Sequence, residues 1–534
     1  MTYYYSRSPE LAIPTNISVT QFVIEQMRKN GLSSKVLIDP TQNKEYTGAE
    51  MIYYIERVAK GLSMLGVKKG DRVGVILPNV PEYFIIFHGI LIIGAIATTV
   101  SPDYNMEEVK KTIGMVDPVV VISTHEALQK IGNLKKEIPS IKNIVTIGDE
   151  SDSNTISISK LIDNDGSYPK VKINGLEDVA VLPFSSGTTG LPKGVELTHS
   201  NLIANAMQVQ NAEFQFYLAT KDAVMSVLPM YHIYGMVFFL IVCPSAGLKF
   251  VSLPKFNVDE FLRCIQDFKL TVSFIAPPVA VLLAKHPAVA KYDLSSLRML
   301  FSGAAPLSST IENAIRERFK GKVTMKQGYG LTEASPTIFL TVFNMTKTGS
   351  VGTLLPNQVI KIIDTTDPTK LLGIGEAGEL CVKGPNVMKG YYKNPKATAE
   401  VIDQDGFLHT GDVGYIDEDG YCFITDRFKE LIKYKGFQVP PAELEGTLLQ
   451  HPLIIDCAVI GVPDETCGEL PRAYVVIKPN SQISPSEIQQ WLEPKVAHYK
   501  RLRGGVVLID VIPKSAAGKI LRKDLKSKFL SSKL

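Results

Sequence analysis

The stretch SSGTTGLPKG, Ser185–Gly194, follows an apolar run at Val179–Phe184 and contains three glycines, four hydroxyl side chains and one lysine. Glycines allow the backbone to turn several N–H groups toward an anion, hydroxyl groups donate further hydrogen bonds, and Lys193 adds a mobile positive charge. This combination predicts a loop that cradles the phosphates of a nucleotide triphosphate. The predicted ligands in the loop are Ser185, Ser186, Gly187, Thr188, Thr189 and Lys193.

The loop differs from a Walker A motif, because Lys193 stands between a proline and a glycine instead of preceding Ser or Thr at a helix start. The pattern predicts a short strand at Val195–Leu197, and Thr198 or Ser200 then caps a helix that begins near Asn201. The loop is therefore expected to join two strands. Taken alone, a hairpin rich in glycine and threonine that binds no ligand is the alternative.

Two later motifs supply what a nucleotide site still needs. In QGYGLTEASP, Gln327–Pro336, Tyr329 can stack on a base, Thr332 can donate to a phosphate, and Glu333 can hold Mg²⁺. In HTGD, His409–Asp412, the carboxylate suits hydrogen bonds from ribose hydroxyls, although an aspartate in such a tight turn usually forms an Asx turn.

These three motifs, in this order and spacing, resemble the adenylate-forming superfamily, which includes acyl-CoA synthetases, 4-coumarate:CoA ligases, beetle luciferases and peptide-synthetase adenylation domains. The resemblance covers nearly the whole chain, and DRFKELIKYKGFQV is most similar to the 4-coumarate:CoA ligase and luciferase branch. The further signatures are LPMYHIYG at Leu228–Gly235, SGAAPL at Ser302–Leu307, DRFKELIKYKGFQVPPAELE at Asp426–Glu445, and PKSAAGKILRKDL at Pro513–Leu525.

The fold is predicted to be α/β with more than one domain. Apolar runs such as Arg72–Leu77 and Pro118–Ile122 alternate with amphipathic stretches such as Val58–Leu65, and 534 residues exceed one hydrophobic core. The resemblance implies a large multi-subdomain N-terminal adenylation domain at residues 1–425. It also implies a small mobile α/β C-terminal domain at 426–534, with a hinge near Asp426.

The chemistry implied by the resemblance joins a carboxylate to the α-phosphorus of ATP and expels pyrophosphate. Both reactants are anions, so the protein must neutralise phosphate oxygens and hold attacker and leaving group in line. CoA then attacks the acyl-adenylate through its thiol and releases AMP, after the small domain has rotated. The site must keep water from the adenylate.

The resemblance also implies residue roles. Lys519 acts in adenylate formation, and the segment with Lys433 and Gln438 faces the site in thioester formation, whereas by itself Lys519 reads as a solvated lysine in a charged tail. Asp412 and Arg427 hold the ribose. The remaining positions implied for ATP or AMP are Gln327, Gly328, Tyr329, Thr332, Lys429, Lys433 and Lys519, and those implied for CoA are Lys255, Lys435 and Gly436.

The acyl pocket is the least specified part of the sequence. Tyr234 matches the tyrosine of 4-coumarate:CoA ligases and favours an aryl-propenoate, whereas Phe238 stands where a smaller residue is common and would shorten or reshape the cavity. His232 could gate the pocket or orient the carboxylate, and a lone histidine is more often a packed core residue. The positions implied for the acyl group are His232, Tyr234, Phe238, Ala305, Gln327, Gly328 and Thr332.

Composition excludes several other classes. A net charge of +3 with scattered Lys and Arg gives no support for nucleic-acid binding. Six cysteines without C-x-x-C spacing are expected to be reduced, and the eight histidines form no local motif, so no zinc site is predicted. The N-terminus lacks a secretory signal pattern, and the apolar segment Tyr83–Val100 is interpreted as a buried helix instead of a membrane span.

The C-terminal tripeptide Ser532, Lys533 and Leu534 is the address read by the peroxisomal import receptor. It predicts peroxisomal localisation and favours fatty or oxylipin-type acids. The leading hypothesis is an ATP-dependent carboxylate:CoA ligase of the 4-coumarate:CoA ligase type, with Mg²⁺ as cofactor and ATP and CoA as co-substrates. The alternatives are a medium- or long-chain fatty acyl-CoA synthetase, a luciferase-like monooxygenase, and a nucleotide-binding scaffold without catalysis, which the complete motif set disfavours.

Overall fold

The computed structural model describes residues 3–41, 44–148, 154–185, 192–214, 222–305, 307–343, 347–427, 430–435, 437–515 and 518–531. Several predicted positions lie outside these ranges. They are Ser186, Gly187, Thr188, Thr189, Lys429, Gly436, Ser532, Lys533 and Leu534.

An eight-stranded sheet contains the two strands that flank the predicted phosphate loop. Its inner strands are parallel, and runs such as Arg72–Ile76 are almost wholly buried, as expected for a sheet covered on both faces. In spatial order the strands are Gly390–Tyr391, Lys193–Thr198, Val179–Ser185, Ile96–Val100, Arg72–Ile76, Val120–Thr124, Asn143–Ile147 and Ile156–Ser157.

A nine-stranded sheet contains the second motif. The strand Thr324–Gly330 runs parallel to Met299–Ser302 on one side and antiparallel to Thr337–Leu340 on the other. In spatial order the strands are Thr353–Leu354, Thr337–Leu340, Thr324–Gly330, Met299–Ser302, Val272–Ile275, Ala223–Ser226, Lys249–Ser252, Lys35–Asp39 and Lys44–Thr47.

An antiparallel five-stranded sheet contains the HTGD motif. In spatial order its strands are Tyr3–Tyr5, Val359–Ile363, Gly378–Lys383, Leu408–Ile416 and Cys422–Arg427. The motif therefore lies within a strand and not in a tight turn, and Gly411, with φ of +70°, supplies the irregular backbone. The predicted domain boundary at 425/426 falls inside the last strand of this sheet.

The C-terminal residues form a smaller sheet with a hydrophobic core of its own, which includes Ile432, Leu444, Leu448 and Val475. A separate core is what allows a segment to behave as a domain. The order is Phe437–Val439, Ile432–Tyr434, Gly468–Ile477 and Ile454–Asp464, and Val506–Leu508 pairs with Gly468–Ile477.

Helices cover these sheets, and their starts follow ordinary capping rules. Thr198 is the N-cap of His199–Val209 in a capping box with Asn201, so the helix begins two residues before the predicted start. The α-helices are Val19–Asn30, Gly48–Met64, Pro81–Ile92, Met106–Lys110, His125–Ile131, Leu134–Glu137, Ile158–Ile162, His199–Val209, Ile233–Gly235, Cys243–Ser245, Val258–Asp267, Pro277–Lys285, Ser309–Arg318, Pro395–Ala399, Pro441–Leu448, Pro485–Leu492 and Arg522–Ser531. Met236–Val242 is a π-helix, and Ile113–Val116, Pro287–Lys291, Thr332–Ala334, Glu493–Lys495 and His498–Lys500 are 3₁₀-helices.

The apolar segment Tyr83–Val100 is only partly helical. Pro81–Ile92 is a buried helix, Gly94 then takes a φ of +72°, and Ile96–Val100 is a strand of the eight-stranded sheet. The prediction of one buried helix was therefore wrong for the second half, because a left-handed glycine turns the chain back into the sheet. No helix within the described ranges has the length and apolarity needed to cross a bilayer. The α/β class, with a large N-terminal region and a small C-terminal one, is confirmed.

Candidate active site

The two ends of the predicted phosphate loop lie side by side. Lys193 is paired with Ser185 across the antiparallel strands, which confirms that the loop joins two strands. The ammonium group of Lys193 lies 4.9 Å from the centre of the Tyr391 ring. Residues 186–191 of the loop lie outside the described ranges, so of the predicted phosphate ligands in the loop the structure describes Ser185 and Lys193.

Tyr391 connects this loop to the second motif. Its hydroxyl donates to Glu333 Oε1 at 2.9 Å and lies close to Ser185, and the Met388 N–H donates to the Glu333 carbonyl at 2.8 Å. Burial, followed by the charge of Glu333, raises the pKa of Tyr391, so the tyrosine stays protonated. A buried carboxylate is thus held beside Lys193, and a hard oxygen ligand in this position fits Mg²⁺. The sequence reasoning missed Tyr391, because nothing in its local pattern indicates that it meets Glu333.

Close packing shapes the backbone of the second motif. A Cβ on Gly330 would lie 1.8 Å from the Pro336 carbonyl oxygen, and a Cβ on Gly328 would lie 2.9 Å from Leu340 Cδ1. The first contact is with backbone and cannot relax by a side-chain movement. Glycine is therefore required at 330, which explains one residue of the QGYG pattern. Thr332 begins the following 3₁₀-helix and is half-buried.

Asp412 is the meeting point of the second and third motifs. Its Oδ2 accepts a hydrogen bond from the Tyr329 hydroxyl at 2.6 Å, and its Oδ1 lies 3.3 Å from Arg427 Nε. Asp412 and Arg427 are also opposite each other in their antiparallel strands. Burial raises the pKa of Asp412, whereas Arg427, Tyr329 and Lys519 oppose the rise. The predicted ribose-binding pair is therefore brought together.

Glu379 and His409 form hydrogen bonds beside Asp412, at the neighbouring residues of the HTGD motif. Glu379 Oε1 accepts from the Gly411 N–H at 3.0 Å, and its Oε2 lies 3.2 Å from His409 Nδ1. On the other side of the ring, Asp403 Oδ2 lies 3.5 Å from His409 Nε2. The hydrogen bond with Glu379 is the main reason that the pKa of His409 is raised. Neither Glu379 nor its contact with the motif is evident from sequence spacing.

Cys381 completes a group of possible metal ligands with Glu379 and His409, whose ligand atoms lie within 4.8 Å of one another. The three come together because Cys381 and His409 are opposite each other in the sheet. Sequence spacing predicts no zinc site, since the three residues share no local motif. Both ring nitrogens of His409 already face carboxylates, so hydrogen bonds account for this geometry without an ion.

Lys519 follows Gly518, whose φ is +81°, and is placed with the residues above. It lies within electrostatic range of Asp412, Glu333 and Arg427. Solvent reaches the Lys519 side chain, although much protein surrounds it. This burial, followed by the positive charge of Arg427, lowers the pKa of Lys519. Two positive groups, Arg427 and Lys519, thus lie within electrostatic range of the carboxylates of Asp412 and Glu333.

Other predicted cations lie on the surface. Lys433, Lys435 and Gln438 are exposed on the hairpin formed by Ile432–Tyr434 and Phe437–Val439. In this hairpin the Lys433 N–H donates to the Glu469 carboxylate at 2.9 Å, and the Gln438 side-chain amide donates to the Thr365 hydroxyl at 3.5 Å. Lys255 is likewise exposed, with Glu126 in electrostatic range.

The predicted acyl-pocket residues start at His232, the N-cap of Ile233–Gly235. Burial, followed by the charge of Lys519, lowers the pKa of His232 to about 4, so it is neutral near pH 7. His232 thus lies within electrostatic range of Lys519.

An aromatic wall follows His232. The Tyr234 and Phe238 rings lie 5.2 Å apart, and those of Phe238 and Phe274 lie 4.6 Å apart. A Cβ on Gly303 would lie 2.9 Å from the Tyr234 ring, so Tyr234 packs directly on the SGAAPL backbone. Phe238 is 2% exposed and fills space behind Tyr234, as expected for a residue that reduces a cavity.

The remaining pocket positions lie at the ends of two adjacent strands. Gln327 is buried, and its side-chain amide lies 3.5 Å from Glu312 Oε2. Ala305 and Gly328 are half-buried. Glu312, whose pKa burial raises, was not identified from the sequence because it lies on a helix outside every motif.

Comparison with known proteins follows the same division of the chain. The sequence profile of the AMP-binding enzyme family matches residues 24–392, and that of the AMP-binding enzyme C-terminal domain matches residues 443–519. A Dictyostelium discoideum protein named probable 4-coumarate–CoA ligase 1 is 50% identical over 540 residues, which cover 98% of this chain and 97% of that protein. 4-Coumarate–CoA ligase 1 of Petroselinum crispum is 40% identical over 539 residues, with 99% and 97% covered.

Solved structures give the same result. The anthranilate CoA ligase AuaEII in complex with anthranoyl-AMP has a TM-score of 0.88 at 26% identity, covering 98% of this chain and 99% of that one. ATP-bound MatB from Rhodopseudomonas palustris has a TM-score of 0.86 at 26% identity, covering 96% and 99%. The resemblance to the adenylate-forming superfamily is confirmed, and the chain belongs to the AMP-binding enzyme family.

Proposed function

We propose that this protein is an ATP-dependent carboxylate:CoA ligase that forms an acyl-AMP and then an acyl-CoA thioester, with release of pyrophosphate and AMP. The observation that carries the proposal is that Lys519 lies within electrostatic range of Asp412 and Glu333. This arrangement supports a cation acting near the carboxylates proposed for the ribose and for Mg²⁺. Full-length similarity to relatives named 4-coumarate–CoA ligase supports the same reaction.

In the first step the protein must bring two anions together. Lys193 and the adjoining loop neutralise the leaving phosphates, while Asp412 and Tyr329 hold the nucleoside. Lys519 stabilises the charge that develops on the α-phosphate as the carboxylate attacks. Glu333 is the residue that would hold Mg²⁺, which would neutralise phosphate oxygens when bound.

In the second step the CoA thiol attacks the acyl carbonyl and AMP leaves. Lys433 and Gln438 lie on an exposed hairpin in this structure, while Lys519 lies in the cleft. A rotation of the C-terminal domain at the predicted hinge near Asp426 would exchange these two faces. His232, neutral near pH 7, is positioned to contact the carboxyl or thioester group without adding charge.

The acid proposed for this site is a planar aryl-propenoate such as 4-coumarate. The Tyr234 ring lies edge-on to Phe238, which packs at a tilt against Phe274, and such an aromatic wall favours a substrate with a flat aromatic ring. The names of two curated relatives, probable 4-coumarate–CoA ligase 1 and 4-coumarate–CoA ligase 1, support the same class. A fatty or oxylipin-type acid is the second candidate, since the tripeptide Ser532, Lys533 and Leu534 favours a peroxisomal enzyme.

The test is acid-dependent AMP release by the purified protein with ATP, Mg²⁺ and CoA, across hydroxycinnamates and medium- to long-chain fatty acids, with thioesters identified by mass. Preference for a hydroxycinnamate with formation of its CoA thioester supports the proposal. Preference for a fatty acid supports the second candidate. Adenylate formation without acylation of CoA overturns the ligase assignment, and light emission with luciferin and ATP would indicate a luciferase-like monooxygenase.

A further inference from the structure

The helix Pro441–Leu448 of the C-terminal region is held at both ends by charged side chains from outside that region's core. At its start, Asp426 Oδ2 accepts a hydrogen bond from the Ala442 N–H at 3.1 Å. At its end, Lys285 Nζ donates to the carbonyl of the C-cap residue Leu449 at 3.2 Å, and it also donates to the carbonyl of Ile454, the first residue of the following strand, at 3.3 Å. Asp426 belongs to the five-stranded sheet of the large region, and Lys285 ends a helix that packs on the nine-stranded sheet.

These two contacts suit the electrostatics of a helix. The first N–H groups and last carbonyls of a helix lack intrahelical partners, and the helix dipole favours a negative group at the start and a positive group at the end. Asp426 is 4% exposed, and burial raises its pKa to about 7, so its charged form faces the start of the helix fully only above that pH. Lys285 is half-buried. Burial lowers the pKa of Lys285, because the charged ammonium group is costly in this environment. The carbonyl groups that accept its hydrogen bonds offset part of this cost. Those carbonyls belong to the C-terminal region, so the contact crosses from one region to the other.

An ion-pair cluster links the helix to Lys519. Within the helix, Glu445 Oε2 lies 3.1 Å from Arg522 Nη2, and Arg522 Nε lies 2.9 Å from Glu430 Oε2. Arg522 is three residues after Lys519, at the start of the last helix. All of these partners follow residue 429, so the cluster can move as one body. The position of the helix Pro441–Leu448 is therefore transmitted to Lys519 through Arg522.

We propose that Lys285 and Asp426 are positioning residues that keep Lys519 in the adenylate-forming site by holding both ends of the helix Pro441–Leu448. The inference rests on the proposed function, because it assigns the observed orientation to the first half-reaction. Loss of either contact should reduce the fraction of molecules with Lys519 in place. It should leave the second half-reaction intact or faster, since that step requires the helix to leave these partners.

The experiment compares the full-length protein with Lys285→Met, which removes the donor at similar length, and with Lys285→Arg, which retains it. Lys291→Met, at an exposed lysine a few residues later, is the matched control. Pyrophosphate release in a single turnover without CoA measures adenylate formation, and preformed acyl-AMP mixed with CoA measures thioester formation. Hydrogen exchange in 441–449 and 514–522 measures release of the helix from Lys285 independently of activity.

We expect Lys285→Met to slow adenylate formation about tenfold, the size expected for a lost charged hydrogen bond, without slowing thioester formation. Lys285→Arg should restore the rate, and Lys291→Met should match the wild type. Equal slowing of both half-reactions, or unchanged exchange in 441–449 in Lys285→Met, would overturn the inference. If the wild type forms no adenylate, the proposed function fails, while faster exchange in Lys285→Met alone would still support the contact between Lys285 and the helix.

Asp426→Asn is the second variant, because it retains an acceptor for the Ala442 N–H and removes the charge. We expect Asp426→Asn to slow adenylate formation less than Lys285→Met does and to leave thioester formation unchanged. The combined variant Lys285→Met with Asp426→Asn should lose more adenylate formation than either alone. A combined loss spread equally over both half-reactions would contradict the assignment of these residues to one orientation.

Discussion

At the scale of single residues, the site is a balance of charges that come from distant parts of the chain. Asp412 is shared by Tyr329 and Arg427, and Glu333 is held by Tyr391. Each carboxylate is buried and would be costly without these partners. The arrangement leaves Lys519 as a cation that enters the cleft from the C-terminal region.

The first prediction separates the two lysines of the proposed half-reactions. Lys519→Ala should abolish adenylate formation, because the charge on the α-phosphate loses its partner, and should leave preformed acyl-AMP able to react with CoA. Lys433→Ala should do the reverse. The two half-reactions are measured separately with the purified variants, and equal loss of both in both variants would contradict the assignment.

A second prediction concerns Glu379 and His409. The folded-state pKa of His409 is raised, mainly by its hydrogen bond with Glu379. The protonated ring therefore stabilises the fold fully below its unfolded pKa of about 6.5, and this stabilisation is lost as the pH rises through the higher folded-state pKa. Glu379→Gln retains an acceptor for the Gly411 N–H but removes the charge that favours protonated His409.

We expect Glu379→Gln to lower the melting temperature more at about pH 6 than at about pH 9, with the pair worth on the order of 1 kcal/mol at the lower pH. Thermal unfolding of both proteins at several pH values measures the difference. A melting-temperature difference that is independent of pH would mean that His409 is not stabilised through the charge of Glu379. His409→Gln, which cannot be protonated, is the matched variant and should show no further effect of Glu379→Gln on the pH dependence.

At the scale of elements, strand pairing decides which motif residues meet. The antiparallel pair that flanks the phosphate loop was predictable, because an apolar run, a glycine-rich stretch and a second strand follow in order. The position of Asp412 opposite Arg427 was not, since register between strands 408–416 and 422–427 depends on a bulge. Likewise, local apolarity predicted a buried helix at Tyr83–Val100, but Gly94 divides it into a helix and a strand.

The third prediction tests the close contact at the second motif. Gly330→Ala would place a methyl group 1.8 Å from the Pro336 carbonyl oxygen, so the strand and the turn that follows must separate. We expect poor folding or a melting temperature lowered by at least about 5 °C, together with loss of ATP binding.

Gly114→Ala is the control for this substitution, because its added methyl group would approach nothing closer than 3.6 Å. Thermal unfolding and nucleotide binding are measured on both variants. A Gly330→Ala protein that binds ATP with wild-type affinity would show that the backbone at this position adapts.

At the scale of the whole molecule, two regions with separate cores meet over the nucleotide motifs. The C-terminal region carries Lys519 on one side and the hairpin with Lys433 on another. The interface between the two regions therefore sets whether Lys519 or the hairpin with Lys433 faces the nucleotide motifs. At this interface Lys285 and Asp426 hold the helix Pro441–Leu448.

The fourth prediction concerns where the molecule acts. Removal of Leu534 should leave both half-reactions unchanged, because the tripeptide contains no predicted ATP, acyl or CoA position, and should abolish peroxisomal import. Activity assays on the purified truncated protein and microscopy of a version labelled at its N-terminus measure the two effects. Peroxisomal import of the truncated protein would contradict the prediction.

The sequence by itself determined the family and the α/β class, and it predicted most residues of the candidate nucleotide site, because those residues lie in contiguous motifs whose chemistry can be read locally. Only the tertiary structure decided that Tyr391 holds Glu333, that Glu379 supports Asp412, and that Lys285 reaches the helix Pro441–Leu448. These contacts join residues between 32 and 164 positions apart. These residues meet because of strand register and domain packing. Both depend on the burial of many side chains at once, which no local sequence pattern encodes.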